Sequence, residues 1–258
     1  MPYYDRQYQL DITLMSLYTQ TLDHSDFNVI IIDDGSPNDI VIPNLPFEVE
    51  VHKLGNKSWT NVAPVYNIGF EYALRKKPDI IIIQSPECYH VGDVLEYARH
   101  KITDYNYIAF GCFRIDKETT FSNHDILKLS NTTHCVSSED FKNGDNAWWN
   151  HPVYNRVPQY WCGAISTRNL VKLNGIDERF SYGYAREDGY FVHQVKNLGL
   201  DIEITDHPFV VHQWHEHIVP DDAERLVRRN TEIYDELMGD DNYRSQHIIT
   251  PNLSWHGN

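Results

Sequence analysis

Two rhythms of apolar residues run along this chain. The continuous β-branched stretches Val29-Ile30-Ile31-Ile32 and Ile80-Ile81-Ile82-Ile83 are short and carry no polar face, which predicts strands buried on both sides. Around them apolar residues return every three or four positions. Leu10, Leu14, Leu17 and Tyr18 predict a helix within 5–22, and the same spacing predicts helices over 62–76, after Trp59, and 91–101. Residues 48–52 alternate as a short strand, and 107–113 read as another. Strand and helix patterns that take turns in this way predict an α/β fold.

From 114 to 160 the rhythm breaks. The stretch is polar and aromatic, with Asn143-Gly144-Asp145 and Trp148-Trp149, and predicts long loops with a few short elements, the kind of segment that covers a site. Regular pattern returns with a strand at 160–165, a short helix from Thr167, a glycine-containing turn and a helix over 187–198. Two short strands then lead to Val210-Val211-His212, and a charged amphipathic helix spans 221–238. With no repeat, low-complexity tract or linker, residues 1–258 read as one domain.

Composition narrows the class. At 258 residues and 41% hydrophobic, the chain can bury a sizeable core by itself. A net charge of −15 repels phosphate backbones and anionic membranes, which disfavours nucleic acid as a partner. Cys88, Cys112, Cys135 and Cys162 form no Cys-x-x-Cys pair, so neither a zinc knuckle nor a disulfide framework is indicated. No apolar run approaches the roughly 20 residues of a membrane span, and the amino terminus lacks a basic-then-apolar leader. The expectation is a soluble protein of the cytoplasm.

The chemistry gathers where apolar runs stop. The first strand ends in Asp33-Asp34-Gly35-Ser36, at the carboxyl edge where open α/β sheets bind ligands. Paired carboxylates there accept hydrogen bonds from a base or ribose, or help hold a divalent cation, and Gly35 lets the chain turn tightly. The second buried strand ends in Gln84-Ser85-Pro86-Glu87-Cys88-Tyr89-His90. Gly183-Tyr184-Ala185-Arg186-Glu187-Asp188 puts two carboxylates at a helix start, where the helix dipole favours them. The last strand empties into the imidazole cluster His212-Gln213-Trp214-His215-Glu216-His217. One site could use all four segments.

With these segments in this order, the chain resembles glycosyltransferase family 2, inverting enzymes of the GT-A fold that transfer a sugar from a nucleotide diphosphate. The family's Pro-Thr-Tyr-Asn-Arg, Gln-Thr and Asp-Asp-Gly-Ser are similar to Pro2-Tyr3-Tyr4-Asp5-Arg6, Gln20-Thr21 and Asp33 to Ser36. Asn-x-Gly is similar to Asn67-Ile68-Gly69, and the Gly-Gly-Phe-Asp-Glu-x-Phe turn to Asn174-Gly175-Ile176-Asp177-Glu178-Arg179-Phe180. The Gly-x-Glu-Asp that follows resembles Ala185-Arg186-Glu187-Asp188, with Ala185 in the usual glycine's place. The likeness covers about residues 1–215. It implies a nucleotide-diphospho-sugar transferase with a Rossmann-like mixed sheet flanked by helices. Residues 1–113 would form the nucleotide-sugar-binding half, 114–220 the acceptor and catalytic half, and 221–258 a helical extension.

The resemblance also implies roles. Asp33 and Asp34 would hold the uracil or ribose of the donor, Pro2 and Tyr3 would wall the base, and Asp5, Asn67, Gln84 and Ser85 would complete the donor site beside Trp59 and Asn61. The family's metal motif, Asp-x-Asp, is altered here to Gln84-Ser85-Pro86-Glu87. Glu87 with an imidazole would still hold Mn²⁺ or Mg²⁺ together with the diphosphate and water. His212 sits where related galactosyl- and N-acetylgalactosaminyltransferases place a metal ligand, with His215 as the alternative and His90 as either a ligand or a helix-capping or loop residue. Asp188 is the expected general base and Glu187 the acceptor-orienting partner. Arg186 or a histidine would help neutralise the leaving group, while Trp148, Trp149 and Trp161 either stack on sugars or pack internally.

The family opens with a buried strand before its Pro-Thr-Tyr-Asn-Arg segment, whereas Met1 directly precedes Pro2 here. Either the start lies upstream, or the sheet lacks that strand and another element covers its edges. The expected activity is inverting transfer from a UDP-sugar to a hydroxyl acceptor such as a glycan. The alternatives are a catalytically degenerate sugar-nucleotide or glycan-binding module, suggested by Gln84 in place of an aspartate, and a nucleotidyltransferase, which normally needs a basic Gly-rich phosphate loop.

Overall fold

The β-branched runs form strands as their pattern requires. In the computed structural model, which describes residues 1–55, 57–122, 124–132, 136, 146–216 and 220–254, the strands divide between two sheets. The first is parallel, in the order β1 (Pro2–Tyr3), β2 (Asn28–Asp33), β3 (Glu48–Lys53). Along its whole length β2 pairs with β3, from Asn28 opposite Glu48 to Asp33 opposite Lys53. The much shorter β1 covers only Ile32 and Asp33.

The second sheet is mixed. It is built from β4 (Ile80–Gln84), β5 (Cys88–Val91), β6 (Asn106–Arg114), β7 (Ala147–Asn150), β8 (Cys162–Ser166) and β9 (Asp201–His212). Its order is β4-β8-β6-β9-β5, with β7 on β6, and only β6 and β9 run parallel. Among the described residues β4 pairs with β8 alone, so its other edge faces the first sheet across a cavity of about 200 Å³ lined by Ile30, Ile32, Phe70, Ile80 and Ile82. At the mouth of this slot the Met1 amino group donates to the Ile30 carbonyl, 2.8 Å away, and burial pushes its pKa down to about 5.

Helices α1 (Gln7–Tyr18), α2 (Ala63–Arg75), α3 (Val94–Lys101), α4 (Lys117–Thr120), α5 (Ile126–Ser130), α6 (Thr167–Leu173), α7 (Glu187–Asn197) and α8 (Ala223–Leu237) flank the sheets. None among the described residues is long and apolar enough to cross a membrane. Leu10, Leu14 and Leu17 of α1 pack with Val29 and Ile31 on the parallel sheet. Under α2, α6 and α7 a second core joins Tyr66, Phe70, Ile83, Tyr107, Leu170 and Phe191. Burial of each such side chain contributes on the order of 1.5–3 kcal/mol.

Three details differ from the expectation. The helix expected to begin at 91 starts at Val94, behind the Asp93 side chain that accepts from the Glu96 N–H, and the residues before it form β5. Where two short strands were expected, β9 is one strand with a bulge: Phe110 faces Thr205, yet Gly111 faces Phe209. A Cβ on Gly111 would sit 3.0 Å from the Thr205 carbonyl, a tight approach that glycine relieves at the bulge. Within 114–160 the described short elements are α4, α5 and β7, while Cys135 and Asn143-Gly144-Asp145 lie outside the described residues.

The chain after α8 returns across the molecule and is tied to Glu178. This buried carboxylate accepts the backbone N–H groups of Ile248 at 2.8 Å, Ile249 at 2.6 Å and Thr250 at 3.1 Å, and also takes the Thr250 hydroxyl and the Asn67 amide.

Candidate active site

A tight turn after β4, closed by the Cys88 N–H on the Ser85 carbonyl, presents Glu87 between β4 and β5. Because β5 runs antiparallel to β9 with Cys88 opposite His212, the sheet itself sets His212 beside Glu87. Three residues later the chain brings His215 to the same place. Glu87 Oε1 lies 3.4 Å from His212 Nε2, 3.5 Å from His215 Nε2 and 3.0 Å from Arg6 Nη1. Glu87 and both histidines are buried, with one ligand atom from each within 4.8 Å of the others.

The loop that carries these histidines is braced against α1. Gln213 donates its N–H and its side-chain amide to the Glu87 carbonyl, and the same amide reaches the Gln9 carbonyl. Gln9 in turn donates to the Trp214 carbonyl at 2.8 Å. Trp149 of β7 packs its ring 4.6 Å from His212, with the Arg114 guanidinium 4.9 Å from the indole. Its neighbour Trp148 points the other way, into Phe113 and Phe209, as strand alternation demands.

Burial alone would raise the Glu87 carboxyl, but the charge of the Arg6 guanidinium and the hydrogen bond from His212 outweigh it and hold the group well below the usual carboxylate range. Burial pushes His215 down to about 3, so the imidazole is neutral. Its Nδ1 lies 3.1 Å from the Glu216 carbonyl, which can only accept, so Nδ1 carries the proton and Nε2 turns a lone pair toward Glu87. Glu87 Oε2 and His212 Nδ1 are buried without hydrogen-bond partners. A carboxylate facing imidazole nitrogens, with orphaned polar atoms around it, fits a divalent cation that accepts both oxygen and imidazole, Mn²⁺ better than Mg²⁺.

The second acidic centre opens α7. Ala185 and Arg186 both adopt positive φ, 61° and 80°, before Glu187 and Asp188 enter the first turn. An alanine in this region is strained by roughly 1–2 kcal/mol, and Asn230 of α8 holds the turn by donating to the Ala185 and Phe180 carbonyls at 2.9 and 3.0 Å. Glu187 is buried, and its Oε2 accepts from Asn61 Nδ2 at 2.7 Å. Burial, then repulsion from Asp188, raises its pKa to about 7. Asp188 is half-buried, and burial raises it too, opposed by the Gly189 N–H on Oδ1.

Tyr66 joins the two centres. It shares a hydrogen bond with Ser85 and feels the charges of Glu87 and Glu187, while Tyr160, edge-on at 5.1 Å, feels Glu187 and Asp188. Burial keeps both phenols protonated.

The Asp33 turn reaches the same region through α1. Asp33 Oδ1 accepts the Ser36 N–H and hydroxyl, and Ser36 Oγ accepts from the Asp5 N–H, one residue before Arg6. Asp33 Oδ2 is buried without a partner. Asp34 is half-buried; burial raises its carboxyl against the opposing pull of Lys57, and its oxygens accept from Lys57 Nζ at 2.5 Å and Trp59 Nε1 at 3.1 Å.

Several expected donor-site residues have partners of their own within the chain. Tyr3 packs in the core with Leu10 and Leu14, while Pro2 lines the slot between the sheets. Asn67 is fully buried with its amide spent on Ile176 and Glu178. Gln84 is likewise occupied, donating to the Cys88 carbonyl and accepting at Oε1 from the His90 ring at 2.9 Å, which makes His90 a core partner of Gln84. Asp5 is exposed and meets Asn38 at 3.2 Å. Trp161 packs 5.5 Å from Trp149, and His217 lies outside the described residues. Sequence reasoning missed Arg6, Gln9, Tyr66, Tyr160 and Gln213. Only Arg6 carried a signal, as the last residue of the Pro2–Arg6 motif.

A family model described as "Glycosyl transferase family 2" matches residues 1–162. No curated protein matches the chain. Among solved structures, S. aureus TarS 1-349 superposes with a TM-score of 0.56 at 13% identity, covering 82% of this chain and 58% of that one. GalNAc-T7, solved with UDP, GalNAc and Mn²⁺, gives 0.55 at 11% identity over 93% of this chain and 48% of its own. The mannosyltransferase PcManGT from Pyrobaculum calidifontis, in complex with GDP-Man and Mn²⁺, gives 0.50 at 12%, covering 92% and 61%. The chain thus spans less than two thirds of each, and the likeness shows a shared fold.

Proposed function

Since the chain belongs to glycosyl transferase family 2 and carries the GT-A fold, we propose that it transfers a sugar from a nucleoside diphosphate donor, a UDP-sugar, to a hydroxyl acceptor with inversion. One observation carries this reading: a cation-ready Glu87–His212–His215 centre and a proton-accepting Glu187–Asp188 pair share the Tyr66–Tyr160 floor. Leaving-group stabilisation and acceptor activation need those two functions side by side. TarS solved with UDP-GlcNAc and GalNAc-T7 with UDP and Mn²⁺ support the donor and metal classes.

In this reading residues 1–258 act as one domain, with the donor base at the Asp33 turn, where the orphaned Oδ2 awaits an N–H or hydroxyl donor. Glu87, His212 and His215 would hold the divalent cation, which when bound supplies positive charge for the departing diphosphate. Asp188, the more accessible of the pair, takes the acceptor hydroxyl proton as that oxygen attacks the anomeric carbon and the bond to the diphosphate breaks. Glu187, fixed by Asn61, orients the acceptor, while burial raises the Asp188 carboxyl and so makes it the better base.

The test is turnover of a UDP-sugar panel with and without hydroxyl acceptors. Asp188→Asn should lower kcat by about 10²–10⁴-fold while UDP still binds. Turnover unchanged in Asp188→Asn, or absence of UDP binding to the parent, overturns the proposal.

A further inference from the structure

We propose that Arg6 is a built-in stand-in for the cation: its guanidinium occupies the Glu87 oxygen on which both histidines converge, and the metal binds only by displacing it. This rests on reading Glu87, His212 and His215 as the metal centre. Arg6 Nη1 lies 3.0 Å from Glu87 Oε1, closer than either imidazole nitrogen, and it approaches the same oxygen, leaving Oε2 without a partner. An ion bound to that oxygen and to the two Nε2 atoms would stand within a few ångströms of the guanidinium, where like charges repel strongly in a partly dry site.

The surroundings suit an exchange of cations. A buried carboxylate needs a positive partner close by, and Arg6, 3.0 Å from Glu87 Oε1, supplies it in the metal-free chain. The Arg6 side chain retains 26% exposure, against 7% for Glu87, so it has a way out to solvent that the three ligands lack. Gln9 and Gln213 pin the histidine loop to α1. Arg6 is therefore the part that moves. Its post at the start of α1, joined through Asp5 and Ser36 to Asp33, puts the displaced guanidinium beside the donor turn.

Mn²⁺ titration of the full chain without donor, followed by the electron paramagnetic resonance signal of free Mn²⁺, tests the exchange. Arg6→Gln should bind Mn²⁺ at least about tenfold more tightly than the parent, and Arg6→Lys should stay near it. Glu87→Gln should abolish binding in either background. Equal or weaker binding by Arg6→Gln overturns the proposal while leaving the metal centre standing; no Mn²⁺ bound by any variant overturns both. If Arg6→Gln fails to fold alone, refolding restored by Mn²⁺ supports the exchange, and refolding unaffected by Mn²⁺ overturns it.

Discussion

Asn61 donates to Glu187 across 126 positions of chain, at 2.7 Å, and thereby joins the entry of α2 to the first turn of α7. The same side chain accepts the Ala63 N–H at 2.9 Å, so it caps one helix while steadying the acid of another. It favours the ionised carboxylate, against burial and the Asp188 charge that raise the group to about 7.

Removing that bond should make the acidic pair harder to ionise. In Asn61→Ala the acidic limb of kcat/KM, expected near pH 7 in the parent, moves upward, with activity at pH 6 falling more than at pH 8. A pH–rate profile checks this, and a limb left in place would mean the pair does not govern activity.

The raised Glu187 also gives stability a direction with pH. The folded state holds this proton up to about 7, whereas the unfolded chain releases it near 4.5. Its contribution is complete below 4.5 and is lost as pH rises toward 7 and beyond. Glu187→Gln should flatten that decline, measured as the difference in Tm between pH 5 and pH 8.

Glu178 has the opposite sign. Burial would raise it, but the Thr250 hydroxyl, Asn67 and the Ile249 and Thr250 N–H groups prevail and lower it, so its contribution is present above the unfolded value and fades as pH falls through the lowered one. Glu178→Gln keeps the shape but loses charge-assisted bonds, and should cost about 1.5–3 kcal/mol in urea denaturation at pH 7.

Ligand linkage separates the two halves of the site. UDP and Mn²⁺ together should raise Tm by more than the sum of their separate shifts. Glu87→Gln should erase the Mn²⁺ increment and keep the UDP one, whereas Asp33→Asn should chiefly weaken the UDP shift.

How much was legible follows from chain distance. Asp33, Glu87 and His212 announced themselves because each follows an apolar run near a strand end, where open α/β sheets place their ligand-binding groups. Ala185 was visible as a departure, and its φ of 61° explains why glycine suits the position. Tyr66 was not legible: on α2 it has the spacing of a core aromatic, and only the fold shows its hydroxyl beside Ser85. Asn67 misled because a buried amide serving Ile176 and a donor-binding amide look alike in sequence. The β9 bulge was hidden because its register is set by β6, far away in the chain.

The tie between Glu178 and residues 248–250 bears on how the protein is made. Asp177 and Glu178 lie just ahead of the acidic helix, yet the backbone groups that satisfy Glu178 are translated some 70 positions later. On the ribosome the parallel sheet and its aspartate turn can form early. Glu178 must wait for residues 248–250, so the turn ahead of the acidic helix gains these partners only once α8 has been made.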